Sequence, residues 1–138
     1  MPNKKIAYKK GYKYQLKEDF SIQIRILPDE DIETEYINLS CKGILLIKNG
    51  YAWDGPSGPT FDTKSFMRGS LVHDALYQLI RLEKLKPEDR ILADSELKDI
   101  CIRDGMNRVY ASIVYRSVRY FGKPATDPAK EHEIETAP

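Results

Sequence analysis

The hydrophobic pattern of this chain changes period once, between Trp53 and Ser65, and no other feature constrains the fold as strongly. Before the change, Phe20, Ile22, Ile24 and Ile26 alternate with Ser21, Gln23 and Arg25 until Pro28 stops the run. A period of two places one apolar face on an extended strand. After the change, Phe66, Met67, Leu71, Val72, Ala75, Leu76, Leu79 and Ile80 recur at helical spacing, which makes an apolar stripe on a helix. Strands followed by helices predict an α+β fold. We expect an N-terminal antiparallel β-meander over roughly residues 12–53 and a three-helix C-terminal half over roughly 64–121. The 138 residues allow one core, so residues 1–122 read as a single domain.

Local signals fill in this frame. Pro28-Asp29-Glu30-Asp31 reads as an acidic turn, after which Ile37, Leu39 and Cys41 alternate with Tyr36, Asn38 and Ser40. Ile44 to Ile47 is a continuous apolar run, as in a strand covered on both faces. Asn49-Gly50 is a hairpin signal, because both residues tolerate the positive φ of a type I′ turn. It predicts that Ile44–Lys48 folds back onto Tyr51–Trp53. Tyr12 to Leu16 is a further strand candidate. Thr63 or Ser65 can cap the first helix. Pro87 suits the first turn of a second helix that stops at Gly105, and Asn107 can cap a third that ends before Gly122. Residues 123–138 are rich in proline and charge and nearly lack apolar side chains, which predicts a flexible, disordered tail.

Composition excludes several classes. The formal charge of +1 gives no global pull toward nucleic acid or anionic membrane. Arg103, Arg108, Arg116, Arg119 and Lys123 interleave with Tyr110, Tyr115 and Tyr120, a pattern that fits a nucleic-acid surface or an ordinary solvated helix face. With the chain nearly neutral, no strong nucleic-acid signal remains. Cys41 and Cys101 lie in apolar stretches without ligand spacing, so both read as buried, reduced thiols in preference to a disulfide. No window approaches the ~20 apolar residues of a transmembrane segment. Met1-Pro2-Asn3-Lys4-Lys5 is not followed by the apolar stretch of a signal peptide.

The chemistry gathers on the helices. His73 and Asp74 are adjacent in Leu71-Val72-His73-Asp74-Ala75-Leu76-Tyr77. His73 and Tyr77 are four apart and share a face, while Asp74 points about 100° away. Asp94 lies inside the next helix, and antiparallel packing would bring it level with His73. A carboxylate bonded to one ring nitrogen fixes the tautomer and leaves the other as a general base. His73, Asp94 and Tyr77 are therefore the candidate catalytic set. The alternative is a structural role, with Asp74 paired to Arg68, Gln78 or Arg81 and Asp94 solvated beside Lys98. The loop Asp54-Gly55-Pro56-Ser57-Gly58-Pro59 leaves three readings open: a tight structural turn, a set of carbonyls aimed at a hard cation with Asp54 or Asp74 supplying charge, or a site for Ser57 as nucleophile. A His-Asp phosphohydrolase would need further histidines, and His132 in the tail is the only other one.

From Tyr51 to Gly122 the chain resembles a family of uncharacterised proteins of tailed phages and prophages. The shared marks are a DGAS-x-P-like loop (Asp54 to Pro59, with Pro56 in place of alanine), R-x-x-L-V-H-D-A-L-Y (Arg68 to Tyr77), Ala93-Asp94 and a terminal V-R-x-F-G (Val118 to Gly122). The same order of parts is similar to the phospholipase A(2) superfamily, in the form carried by parvovirus capsid proteins. There a glycine-rich calcium loop precedes a helix bearing H-D-x-x-Y, and a later helix bears an aspartate. That resemblance implies His73 as the base activating water, Asp94 as its orienting partner, and calcium held by Asp74, Asp54 and the carbonyls around Gly55 and Gly58.

Two expectations follow. One is a calcium-assisted hydrolase acting on a lipid or other ester. The other is a non-catalytic phage component, structural, lytic or host-interacting, in which the His–Asp network fixes helix packing and the partner is a virion or host protein. Either would work in the host cytoplasm or the virion.

Overall fold

The structure is a computed structural model, and it describes residues 8–9, 14–53 and 64–129. The strands β1 (Tyr8–Lys9), β2 (Tyr14–Leu16), β3 (Phe20–Gln23), β4 (Ile32–Glu33), β5 (Ile37–Leu39), β6 (Ile44–Ile47) and β7 (Ala52–Trp53) come first. Helices α1 (Lys64–Arg81), α2 (Arg90–Arg103) and α3 (Arg108–Phe121) follow. The class is α+β, as the change of period predicts. All pairing is antiparallel, in a three-stranded sheet of order β1-β2-β7 and a four-stranded sheet of order β3-β6-β5-β4.

The larger sheet shows why alternation specifies register. Phe20 and Ile37 both face Ile47 across the strands, and Leu39 faces Leu45. A slip of one residue would turn this whole apolar set outward. Ile24 and Ile26 continue the buried face beyond β3. The run Ile44 to Ile47 is covered on one face only, because Leu45 and Ile47 are buried while Ile44 is 44% exposed.

Asn49-Gly50 forms a turn, but not the expected hairpin. β6 pairs with β3 and β5, whereas β7 pairs with β2 in the other sheet. The Tyr51 amide donates to the Lys48 carbonyl, and Gly50 has φ +100° while Asn49 is not left-handed. A single positive φ at the third position matches a type II turn, whose twist does not suit a tight hairpin. Long-range bonds decide the path instead: Gly50 N–H donates to Leu16 O, Leu16 N–H to Tyr51 O, and Asn49 N–H to Asp19 Oδ1. The turn hands the chain from one sheet to the next.

α1 is the central element. Its sequence suggests one apolar stripe, yet most of its 18 residues are buried, as befits a helix covered nearly all round. Leu71, Val72, Leu76, Leu79 and Ile80 share a core with Leu16, Phe20, Ile37, Leu39, Leu45 and Ile47. Each fully buried leucine contributes about 1.5–3 kcal/mol. Near its N-terminus, Phe66 joins Leu97, Cys101, Met106, Ala111 and Val114 in a second cluster against α2 and α3. Arg68 is buried and forks onto Asp104 through two bonds of 3.0 and 2.9 Å. Contacts from the start of α1 to the end of α2, and from His73 to Asp94, make the two helices antiparallel.

α3 begins as expected, with Asn107 Oδ1 accepting from the Val109 and Tyr110 amides. Past Gly122 the chain stays packed where the sequence suggests a loose tail. Lys123–Thr126 form a 3-10 turn, Thr126 is buried, and Arg81 Nη1 donates to Ala125 O at 2.9 Å. The rest of the expected tail, residues 130–138 with His132, lies outside the described residues. Both cysteines are free; Cys101 is buried, but Cys41 is exposed. Cys41 falls beyond the end of β5, where alternation no longer governs burial. Among the described residues, no helix is long and apolar enough to cross a membrane.

Candidate functional site

The antiparallel pairing of α1 and α2 brings His73 and Asp94 into direct contact. His73 Nε2 lies 2.7 Å from Asp94 Oδ1, and the Tyr77 hydroxyl donates to the same oxygen at 2.6 Å. The two rings are neighbours because they stand four residues apart on α1, with centroids 4.0 Å apart. Asp94 itself is fully buried. Its second oxygen accepts from Arg119 Nη1 of α3 at 2.8 Å and faces Arg90 Nη1, one turn earlier on α2, at 3.5 Å. Arg90 also donates to the Tyr77 hydroxyl and to the carbonyls of Val118 and Arg119.

Burial works against ionisation of Asp94, but hydrogen bonds from His73, Tyr77 and Arg119 overcome it and hold its carboxyl below the ordinary range. An ionised carboxylate can only accept. His73 Nε2 is therefore the donor in this contact, and whenever the ring is neutral its lone pair lies on Nδ1. Burial, followed by the bond to Asp94, pushes the Tyr77 phenol upward. Tyr77 thus stays protonated and acts as a fixed donor that positions Asp94.

His73 keeps 8% of its surface exposed, and it lines a pocket of about 350 Å³. Nδ1 bonds to no described residue. Phe66, Leu97, Val118 and Phe121 give the pocket an apolar wall, and Ser70, His73, Asp74 and Tyr77 supply its polar side. This mixture and size suit a small organic ligand. Asp74 is half-buried on the same wall, about a quarter-turn from His73.

The structure thus brings together His73, Asp94 and Tyr77, with Asp74 beside them. Asp54, Gly55 and Gly58, expected to complete a calcium site, lie outside the described residues, as does Ser57. Calcium takes about six to eight oxygen ligands. Among the described residues, Asp74 is the one expected donor, and no group of three or more metal-ligating side chains gathers. Those residues alone do not make a calcium site.

Three members of the site are not foreseen from sequence. Arg90 stands four residues before Asp94, so helical spacing could have found it. Arg119 belongs to a basic series that reads as solvated surface, and no local signal marks it. Gly122 reads as a cap, yet its φ of −79° is open to any residue. Its role is space, because a Cβ there would collide with the Tyr77 hydroxyl and the Val118 carbonyl. Gly122→Ala should cost about 1–3 kcal/mol of stability by forcing the network apart, measurable by urea denaturation. An unchanged midpoint would show that α3 can shift freely at this point.

No family model, no curated protein and no solved structure matches the chain.

Proposed function

We propose that this protein is a hydrolase of ester or phospholipid type, of phage or prophage origin, in which His73 activates water. The observation that supports it most is the arrangement of one imidazole: Nε2 is held by a buried carboxylate 2.7 Å away, Nδ1 bonds to no described residue, and the side chain lines a pocket. In this reaction a water gives its proton to Nδ1 while its oxygen attacks the ester carbonyl. The ring then returns the proton to the departing alkoxide. Asp94 holds the tautomer and offsets the charge on the ring during attack. The apolar wall of Phe66, Leu97, Val118 and Phe121 would hold the acyl chain. Calcium held by Asp74 and the preceding loop would stabilise the oxyanion if bound.

A second reading, a non-catalytic phage module, is favoured by a different observation. Asp94 is met by four donors from three helices, and its two arginines already compensate its charge. A network of this kind can fix helix packing without any reaction.

Release of p-nitrophenol from short-chain esters, and of fatty acid from phosphatidylglycerol micelles, tests the proposal directly. The folded chain should turn over at least one of these above background, and a calcium chelator should slow it by about tenfold or more. Absence of turnover on both substrates, with added calcium, leaves the structural module.

A further inference from the structure

α3 has two apolar faces and only one of them is covered. Ala111 and Val114 are buried, and Val118 packs beside them. On the opposite side, Val109 is 70%, Ile113 48% and Tyr120 79% exposed. At about 100° per residue, Val109, Ile113, Arg116 and Tyr120 fall within about 60° of one another. The spacing i, i+4, i+7, i+11 is a narrow seam of the kind one helix offers to another. Three large apolar side chains aligned on one exposed helix face, and not scattered singly, are the arrangement a docking partner covers.

Charge narrows the identity of the occupant. α3 contains Arg108, Arg116 and Arg119 and no acidic residue. Arg116 is exposed in the middle of the seam and makes no ion pair with a described residue. Two copies meeting on this face would set arginine against arginine, which disfavours self-association. A bilayer fits poorly as well, because the face that would sink into the hydrocarbon carries a guanidinium at its centre. A partner helix with an apolar seam and a carboxylate opposite Arg116 satisfies both features, since Arg is well suited to an interface ion pair.

From these features we infer that the outer face of α3 is a docking surface for an acidic amphipathic helix of another protein. Val109, Ile113 and Tyr120 are its apolar anchors, and Arg116 selects for negative charge. None of these four residues lines the His73 pocket, although Tyr120 packs edge-on against Phe121 of its wall at 4.7 Å, and docking here does not depend on hydrolysis.

The test uses the full chain with isotope-labelled amides and two synthetic helical peptides. Both peptides carry leucines at the matching spacing, flanked in one by glutamates and in the other by lysines. Phosphatidylglycerol vesicles form a third arm. The glutamate peptide should shift the signals of Val109, Ile113, Arg116 and Tyr120, and Arg116→Glu should weaken its binding by about tenfold or more. Ile113→Ser, also a surface change, should weaken it too, with circular dichroism confirming that both variants fold. Equal binding of the two peptides, or no shift at millimolar glutamate peptide, overturns the inference. So does a response to vesicles alone, which would assign the face to a membrane, or a concentration-dependent dimer that Ile113→Ser abolishes.

Discussion

Replacing Asp94 with alanine should lower the unfolding free energy by about 3–5 kcal/mol, the penalty for removing one partner from a buried ion-pair network. The melting temperature should fall by roughly 10 °C or more for a domain of this size. The magnitude follows from what remains. Without the carboxylate, Arg90 and Arg119 face each other uncompensated, and the His73 and Tyr77 donors lose their acceptor in a dry interior. Asp94→Asn is the informative companion. It keeps the volume but replaces one accepting oxygen by a donating NH2 group, so at least one of the four donors meets another donor. Its cost should approach that of alanine despite the conserved shape.

The same carboxylate sets an acid limit. Its folded pKa is depressed, so its contribution is fully present above the unfolded value near 3.8. It is lost as pH falls through the lower folded value. Acid unfolding should therefore steepen below about pH 4 in the native chain, and that steepening should vanish in Asp94→Asn. Urea midpoints measured across this window would decide it. An identical acid slope in both proteins would mean that the network does not couple to folding.

How much of this could be read in the sequence depends on the range of the interaction. Features fixed by neighbours were legible: the Asn107 cap, the helix ending at Gly105, the alternation of β3, and the shared face of His73 and Tyr77. The meeting of His73 with Asp94 was also legible, because a short connection between two helices leaves antiparallel packing as the natural outcome. Long-range pairing was not. Asn49-Gly50 carries a hairpin signal, yet the bonds to Leu16 and Asp19 decide where the chain goes. Arg119 looks like one more surface arginine until α3 packs against α2. At Gly122 the local signal and the structural role differ. A glycine after a helix reads as a cap, and only the fold reveals the hydroxyl pressed against it.

His73→Gln should separate reaction from architecture more sharply than any other change. A glutamine amide can still donate to Asp94 Oδ1, so the stability cost should stay near ~1 kcal/mol. The base at Nδ1 is lost, and a general base contributes about 10²–10⁴ in rate. Ester turnover should therefore fall by that factor, with KM little changed because the apolar wall of the pocket is untouched. His73→Ala extends the argument. It opens space beside a pocket of about 350 Å³, and imidazole added from solution can enter it. Partial recovery of turnover with imidazole, rising with the fraction of neutral imidazole, would identify the lost group as a proton acceptor. A purely structural histidine would behave differently. Imidazole would then restore melting temperature or nothing at all, and the stability loss of His73→Gln would stand without any catalytic counterpart.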